Sequence, residues 1–496
     1  MADVLLTHSY FLQLDPKEYR AMMPYTPLGT LYAASFLRSH GYSPVIFDTM
    51  LAGSEEEIAV YIENHHPKFV VIYDDDFNYL TKMCLGRMRK AAFEMCRIAK
   101  NSGCIVIVHG SDVTDHVDEY LRENADYVII GEGEFTLKEL LDHLSARNAS
   151  QLSAIQGIAY WRDGSVVRTA KREVMHTLDL LPFPARDLVD LQQYRTIWKK
   201  RHGYFSLNMV TTRGCPFHCN WCAKPIYGQV YNTRSPENVV EELQQLKLEY
   251  KPDHIWFCDD IFGLKPGWVP RFAEVVKKEQ AIVPFKCLAR ADLLLKENAI
   301  QHLADAGCRT IWIGAESGSQ DILDAMEKGT TIEQIYTSTR LLHEHGIRVG
   351  FFLQFGYPGE TKKNIDQTLQ MVKDCKPDEI GISVSYPLPG TKFYETVKKQ
   401  LGEKKNWNDS EDLDLMFHGT FTADFYRALH KITHKKFRIW QGKEITKELL
   451  SHPSRMNSHT LRRMAAMFYH SLTLPALESK LNRLSMLPGD HEQSPS

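Results

Sequence analysis

LNMVTTRGCPFHCNWCAKP, residues Leu207–Pro225, runs from an apolar stretch of strand character straight into a loop holding three cysteines. Cys215, Cys219 and Cys222 follow a C-x3-C-x2-C spacing, and no fourth cysteine lies near them. Three thiolates converging from one loop can hold a four-iron cluster and leave one iron open for an outside ligand. That open position is what chelation and reductive cleavage of S-adenosylmethionine requires, radical chemistry that cofactors rather than side chains perform. Two plainer readings compete. Structural zinc wants four ligands, usually in paired Cys or Cys/His sets, and only His218 is close, set between two of the cysteines. A disulfide needs an oxidising compartment, which nothing here suggests.

The 496 residues are enough for two to four domains, each with its own core. A formal net charge of −3, with 43% hydrophobic and 24% charged residues, gives no support for a dedicated nucleic-acid binder. The opening MADVLLTHSY lacks a basic segment followed by an apolar one, and no apolar run approaches membrane-spanning length. A soluble, cytoplasmic protein with its ten cysteines reduced is therefore expected. The terminal GDHEQSPS is expected to be disordered.

Working outward from the loop, residues 205–401 alternate strand candidates with helical stretches: LNMVTTR, HIWFCDD, FKCLAR, TIWIGAE, GFFLQFG and EIGISVS. Six such units fit a partial (β/α)6 barrel with the cysteines after its first strand, and barrels place chemistry at the carboxyl ends of strands. Residues 1–145 alternate in the same way, and FVVIY, CIVIV and YVII are apolar throughout, as strands buried on both faces should be. They predict a five-stranded doubly wound parallel sheet, so the fold class is α/β. Residues 146–204 read as a connection containing a hairpin, IAYWRDGSVVRT, and the Pro-punctuated LLPFPARDL. Residues 402–496 read as helical. The basic stretch Lys431–Arg463 suits an anionic substrate or a membrane surface, with solvated helix faces the plainer reading.

Polar groups at strand ends are the natural site candidates. Asp259 and Asp260 suit an ammonium group through charge-assisted hydrogen bonds, although side-chain alternation lets only one face inward. A helix cap or loop carboxylate is the competing view. Arg290 in CLARADLL is placed to reach a carboxylate, and Trp221 either supports the cofactors or packs as core. GYPGE, Gly356–Glu360, makes a tight turn whose glycines permit close backbone approach. Cys258, Cys287 and Cys308 beside strands read as buried small hydrophobes. In the doubly wound sheet, ligands bind outside the carboxyl ends of strands. That rule picks Asp74, Asp75, Gly110, Ser111, Asp112, Gly131, Glu132, Gly133 and Glu134 as a rim.

The cysteine loop, with Trp221 just before Cys222, resembles the signature of the radical S-adenosylmethionine superfamily. The stretches TPLGTLYAASFLRSHGYSPVIFDT, VIVHGSDVTDH, ADYVIIGEGEFTLKELL and LPFPARDLVDLQQY resemble the cobalamin-binding domain fused ahead of many such barrels. Together the resemblance covers roughly the first 400 residues. It implies a [4Fe-4S] cluster on Cys215, Cys219 and Cys222, S-adenosylmethionine, cobalamin, and an electron donor such as flavodoxin or ferredoxin. It also implies contacts to the methionine and ribose parts of the cofactor from Glu316, Ser317 and Gln354. Gly390, Thr391 and Tyr394 match the family too, and read equally well as architecture. One departure stands out. No Asp is followed by His two residues later, so the D-x-H-x-x-G mode of cobalt ligation is excluded. Members of the fused class commonly lack it, and so would a domain that had lost its cofactor.

The leading expectation is a cobalamin-dependent radical enzyme that methylates an unactivated carbon of a small-molecule or lipid-like substrate. The alternatives are a radical cyclase or rearrangement enzyme of the same class, a tRNA-modifying enzyme, and a non-catalytic iron–sulfur protein.

Overall fold

A computed structural model describes residues 3–146 and 151–487; the terminal GDHEQSPS lies outside them. The five expected parallel strands are β1 (Val4–Thr7), β2 (Pro44–Phe47), β3 (Phe69–Tyr73), β4 (Ile105–His109) and β5 (Tyr127–Ile129). Their spatial order is β2-β1-β3-β4-β5. Side chains of successive residues leave on opposite faces. Val70 and Ile72 therefore join one core with Leu5, Val106 and Val108. Val71 joins the other with Val4, Leu6 and Ile107.

The sheet is wider than expected. IAYWRDGSVVRT forms β6 (Ile158–Arg162) and β7 (Ser165–Arg168), which add antiparallel to β5, giving seven strands. The hairpin thus extends the sheet instead of merely connecting two units. Its Ile158, Ala159 and Tyr160 are buried, which is why it docks.

The second sheet has six parallel strands in sequence order across it: β8 (Ser206–Met209), β11 (His254–Phe257), β12 (Phe285–Ala289), β13 (Cys308–Glu316), β14 (Arg348–Phe355) and β15 (Glu379–Val384). This is the curled half-barrel that the alternation predicts. Between β8 and β11, the two-residue strands β9 (Thr212–Arg213) and β10 (Asn232–Thr233) pair antiparallel and close the base of the cysteine loop.

Beyond the barrel, residues 402–422 contain no helix, contrary to the all-helical expectation for that block. They strap the two sheets together. Trp407 is buried, Gly86 N–H donates to its carbonyl (2.7 Å), and Ser410 Oγ donates to Asp15 (2.6 Å). The helices Ala423–Ser451 and Ser458–Leu484 follow. Phe425, Tyr426, Leu429 and Phe437 of the first belong to the barrel core.

Candidate active site

The cysteine loop is built from its base upward. Gly214 has φ +79°, and a Cβ there would lie 2.3 Å from the Val230 carbonyl oxygen, so only glycine turns the chain out of β9. Within the loop, Lys224 Nζ donates to the Phe217 carbonyl (2.7 Å). Asn220 fastens the loop across the barrel mouth. Its N–H donates to Met326 O (3.1 Å), its Nδ2 to Ala325 O (2.7 Å), and its Oδ1 accepts from the Tyr357 hydroxyl (3.0 Å). These partners follow β13 and β14, so one side chain sets the loop's height over distant strands. The sequence reading missed Asn220, whose partners lie more than a hundred residues away.

Cys215 is buried and Cys219 and Cys222 are half-buried. Desolvation pushes the Cys222 thiol up to about 12; Lys224 pulls the other way, and Asp260 and the other two cysteines add to the rise. Three thiolates here need cations or metal. Cations are present. Arg290 Nη1 lies 4.0 Å from Cys219 Sγ, with its guanidinium 3.7 Å from the Phe217 ring centre. Lys328 acts electrostatically on Cys219, and Lys82 on Cys222. Among the described residues no three Cys, His, Asp or Glu side chains converge tightly enough for a single ion. An all-thiol donor set with cations beside it fits an iron–sulfur cluster.

The strand-end residues divide into two groups. Asp259 is fully occupied: Oδ1 accepts from Thr211 N–H (2.6 Å) and Thr212 N–H (2.8 Å), and Oδ2 from Thr211 Oγ1 (2.8 Å). It braces the strand entering the loop and has no room for a ligand ammonium. Asp260 pairs with Lys82 (2.6 Å) from the other sheet's unit. Ser317 is buried against Thr368 (3.2 Å) and Ser319, and a Cβ on Gly318 would strike Gln367 O at 2.4 Å, so both are packing residues.

Glu316, Arg290, Gln354 and Trp221 face a different situation. The register of β13 against β14 slips between Gly314 and Glu316, and Glu316 sits at φ +56°. A bulge of this kind re-aims a side chain, and left-handed backbone at a non-glycine costs about 1–3 kcal/mol. Its carboxylate meets Lys328 Nζ at 2.8 Å. Gln354 Nε2 donates to Ser385 Oγ (3.0 Å). Trp221 Nε1 is buried without a partner, a donor awaiting an acceptor. At the turn Gly356–Glu360, Glu360 Oε2 accepts from Gly356 N–H (2.7 Å). Cys258, Cys287 and Cys308 are buried, as expected of small hydrophobes.

At the first sheet, the order β2-β1-β3-β4-β5 puts the switch point between β1 and β3, where ligands of such sheets bind. The rim residues there are largely engaged with one another. Asp74 accepts from Ser9 N–H (2.7 Å), Asp75 from Gly29 N–H (2.9 Å), and Asp76 from Ser111 N–H (3.1 Å) and Oγ (3.0 Å). Asp112 holds Arg89 and the Tyr120 hydroxyl (2.8 Å). Glu132 and Glu134 both hold Arg213. The glycines are not an open cradle. A Cβ on Gly110 would meet Asp74 at 2.8 Å, and one on Gly133 the Tyr73 hydroxyl at 2.6 Å, while Gly131 takes φ +78° in a turn. The unmet polar demand lies slightly further along. Thr81 Oγ1 and Thr114 Oγ1, on the segments following β3 and β4, are buried with no hydrogen-bond partner; His109 Nδ1, at the end of β4, and His116 Nε2 also lack a hydrogen bond, with the carboxylates of Asp76 and Asp112 at 3.6 and 3.8 Å. Two unpartnered hydroxyls and two histidine nitrogens short of a hydrogen bond fit a ligand rich in hydrogen-bonding substituents, as cobalamin is. The sequence reading named none of the four, because nothing in sequence marks a threonine as unpartnered.

Comparison with known proteins gives the same picture. The radical SAM superfamily model matches residues 209–372. The chain is 27% identical over 453 residues to an uncharacterized methyltransferase of Pyrococcus horikoshii, covering 90% of this chain and 94% of that one. It is 25% identical over 395 residues to the anaerobic magnesium-protoporphyrin IX monomethyl ester cyclase of Rubrivivax gelatinosus, covering 78% and 68%. Its fold is similar to that of the radical S-adenosylmethionine methyltransferase TsrM of Kitasatospora setae, solved with cobalamin and a [4Fe-4S] cluster bound. That match has a TM-score of 0.65 at 19% identity, with 81% of this chain and 78% of that chain covered.

Proposed function

We propose that this chain, a member of the radical SAM superfamily through residues 209–372, is a cobalamin-dependent radical enzyme that methylates an unactivated carbon of a small-molecule or lipid-like substrate. The observation that carries the reading is the three-thiol loop ringed by Arg290, Lys328, Lys224 and Lys82 at the mouth of a half-barrel. Facing it is the carboxyl edge of a doubly wound sheet, where Thr81 Oγ1 and Thr114 Oγ1 are buried without a hydrogen-bond partner. In this reading residues 1–145 hold cobalamin, 205–401 carry the radical chemistry, and 402–496 close the barrel's open side.

A [4Fe-4S] cluster supplies the electron that breaks the C5′–S bond of S-adenosylmethionine, and cobalamin supplies the methyl group. The electron comes from an external donor such as flavodoxin or ferredoxin. Cys215, Cys219 and Cys222 would ligate the cluster, with the surrounding cations favouring their thiolate form. Arg290 would orient the cofactor carboxylate, and Glu316, aimed by its bulge and held by Lys328, would take the polar ribose or ammonium side. Trp221 Nε1 would donate a hydrogen bond into the same space. Asn220 and the two-strand base of the loop hold this set in place.

The test is anaerobic reconstitution followed by product analysis with methyl-labelled S-adenosylmethionine. Wild type should contain iron and corrinoid, form 5′-deoxyadenosine and transfer label, and Cys219→Ala should do none of the radical chemistry. Failure of reconstituted wild type to form 5′-deoxyadenosine rejects the enzyme reading. Label-free product formed with 5′-deoxyadenosine favours the second reading, a cyclase or rearrangement enzyme, which the similarity to the Rubrivivax cyclase keeps in view.

A further inference from the structure

The terminal helix Ser458–Leu484 packs Met467, Leu481 and Leu484 inward but carries a second apolar row on its outer side. Leu461, Phe468 and Leu472 follow one another at spacings of seven and four, so they share one face. That face points to solvent: Leu472 is 83% exposed, Phe468 62% and Leu461 49%. Solvent-facing helix positions are ordinarily polar, and a row of large apolar side chains there marks a surface with an occupant. Arg462 and Lys480 lie eighteen residues apart, five helical turns, and so stand on the same shoulder of the row. Arg483 lies near its end. All three are exposed and have no ion-pair partner among the described residues. The single acid of the helix, Glu478, is turned away and paired with Lys436 of the preceding helix (2.9 Å). The outward face is therefore apolar and cationic over about 33 Å, at roughly 1.5 Å per residue.

We propose that this face lies on an anionic lipid surface, with Leu461, Phe468 and Leu472 entering the headgroup boundary and the three cations meeting lipid phosphates. Apolar rows flanked by Lys and Arg have this use in helices that lie in the interface. Among the described residues no helix is long and apolar enough to cross a membrane, so the contact is peripheral. A second copy of the chain is a poorer occupant. Antiparallel two-fold pairing of the face would set Arg462 against Lys480 and Arg483 of the copy, and like charges in register repel. The inference does not depend on the proposed chemistry.

Flotation of the full chain, prepared anaerobically, tests it. Vesicles of phosphatidylcholine with phosphatidylglycerol should carry the protein up, pure phosphatidylcholine far less, and added salt should release it. Leu472→Asp should lower the bound fraction about tenfold. Arg462→Gln should weaken binding to anionic vesicles alone. Phe468→Ser gives a graded loss of the same sign and guards against a folding defect in the stronger variant. Protein left unbound by anionic vesicles overturns the proposal, as does equal flotation of Leu472→Asp. So does light scattering that finds a dimer which Leu472→Asp returns to monomer.

Discussion

Arg213 Nη2 lies 2.6 Å from Glu134 Oε1, which ties the strand leading into the cysteine loop to the helix that follows the fifth strand of the other sheet. The guanidinium also holds Glu132 and lies beneath the rings of Tyr32, Phe77 and Tyr227. Burial alone would raise the Glu134 carboxyl, but Arg213 holds it below the usual range. Removing Arg213 strands two buried carboxylates, so Arg213→Ala should destabilise by about 3–5 kcal/mol. Adding Glu132→Gln and Glu134→Gln should restore much of that, because the stranded charges are gone. Urea denaturation of the single and triple variants checks both statements.

Asn220 should govern how firmly the loop keeps a cluster. Asn220→Ala deletes two hydrogen bonds to distant strand ends, about 2 kcal/mol of local stability. Iron should then leave to a chelator about tenfold faster, with the overall circular dichroism unchanged. An unchanged release rate removes Asn220 from the anchoring role.

Arg290 sits between the Phe217 ring and Cys219 sulfur. If it orients the cofactor carboxylate, Arg290→Lys should raise KM for S-adenosylmethionine about tenfold, because lysine offers no planar fork. Iron per chain should be unaltered. Loss of iron with no change in KM would assign Arg290 to the cluster alone.

Glu360 is fully buried, and desolvation pushes its carboxyl from 4.5 to about 8, partly offset by the Gly356 amide. The folded chain therefore retains a proton that the unfolded chain releases above pH 4.5. Stability from this group is complete below about 4.5, declines as pH rises, and is gone above about 8. Glu360→Gln keeps an oxygen for the amide and has no proton to lose. It should match wild type near pH 5 and exceed it at pH 9 by on the order of 3 kcal/mol. Denaturation curves at the two pH values decide. Equal curves at both would mean Glu360 is not held protonated.

Some elements were legible because one local signal was enough. β3 and β4 read as central strands since FVVIY and CIVIV are apolar throughout, and a strand flanked on both faces has no polar side to show. The cysteine spacing was legible because three thiols lie within eight residues. The hairpin Ile158–Arg168 was not placed, since joining the edge of β5 is a choice between distant backbones. Asp259 reads as a ligand group because it ends a strand, and Ser317 because the family resemblance implies a cofactor contact. In the structure they face Thr211, Thr212 and Thr368, which come from other segments.

Sequence alone determined the two strand–helix alternations, the three thiols on one loop and the absence of a histidine ligand motif. Each rests on residues adjacent in the chain, whose spacing acts before any folding. Tertiary structure alone decided that Asn220 spans the barrel mouth, that Arg213 locks the two sheets, that Glu316 is re-aimed by a bulge, and that the last helix turns Leu461, Phe468 and Leu472 outward. Those depend on which distant groups meet and which are left facing water. Burial and partnership are properties of the packed chain, and no residue carries them by itself.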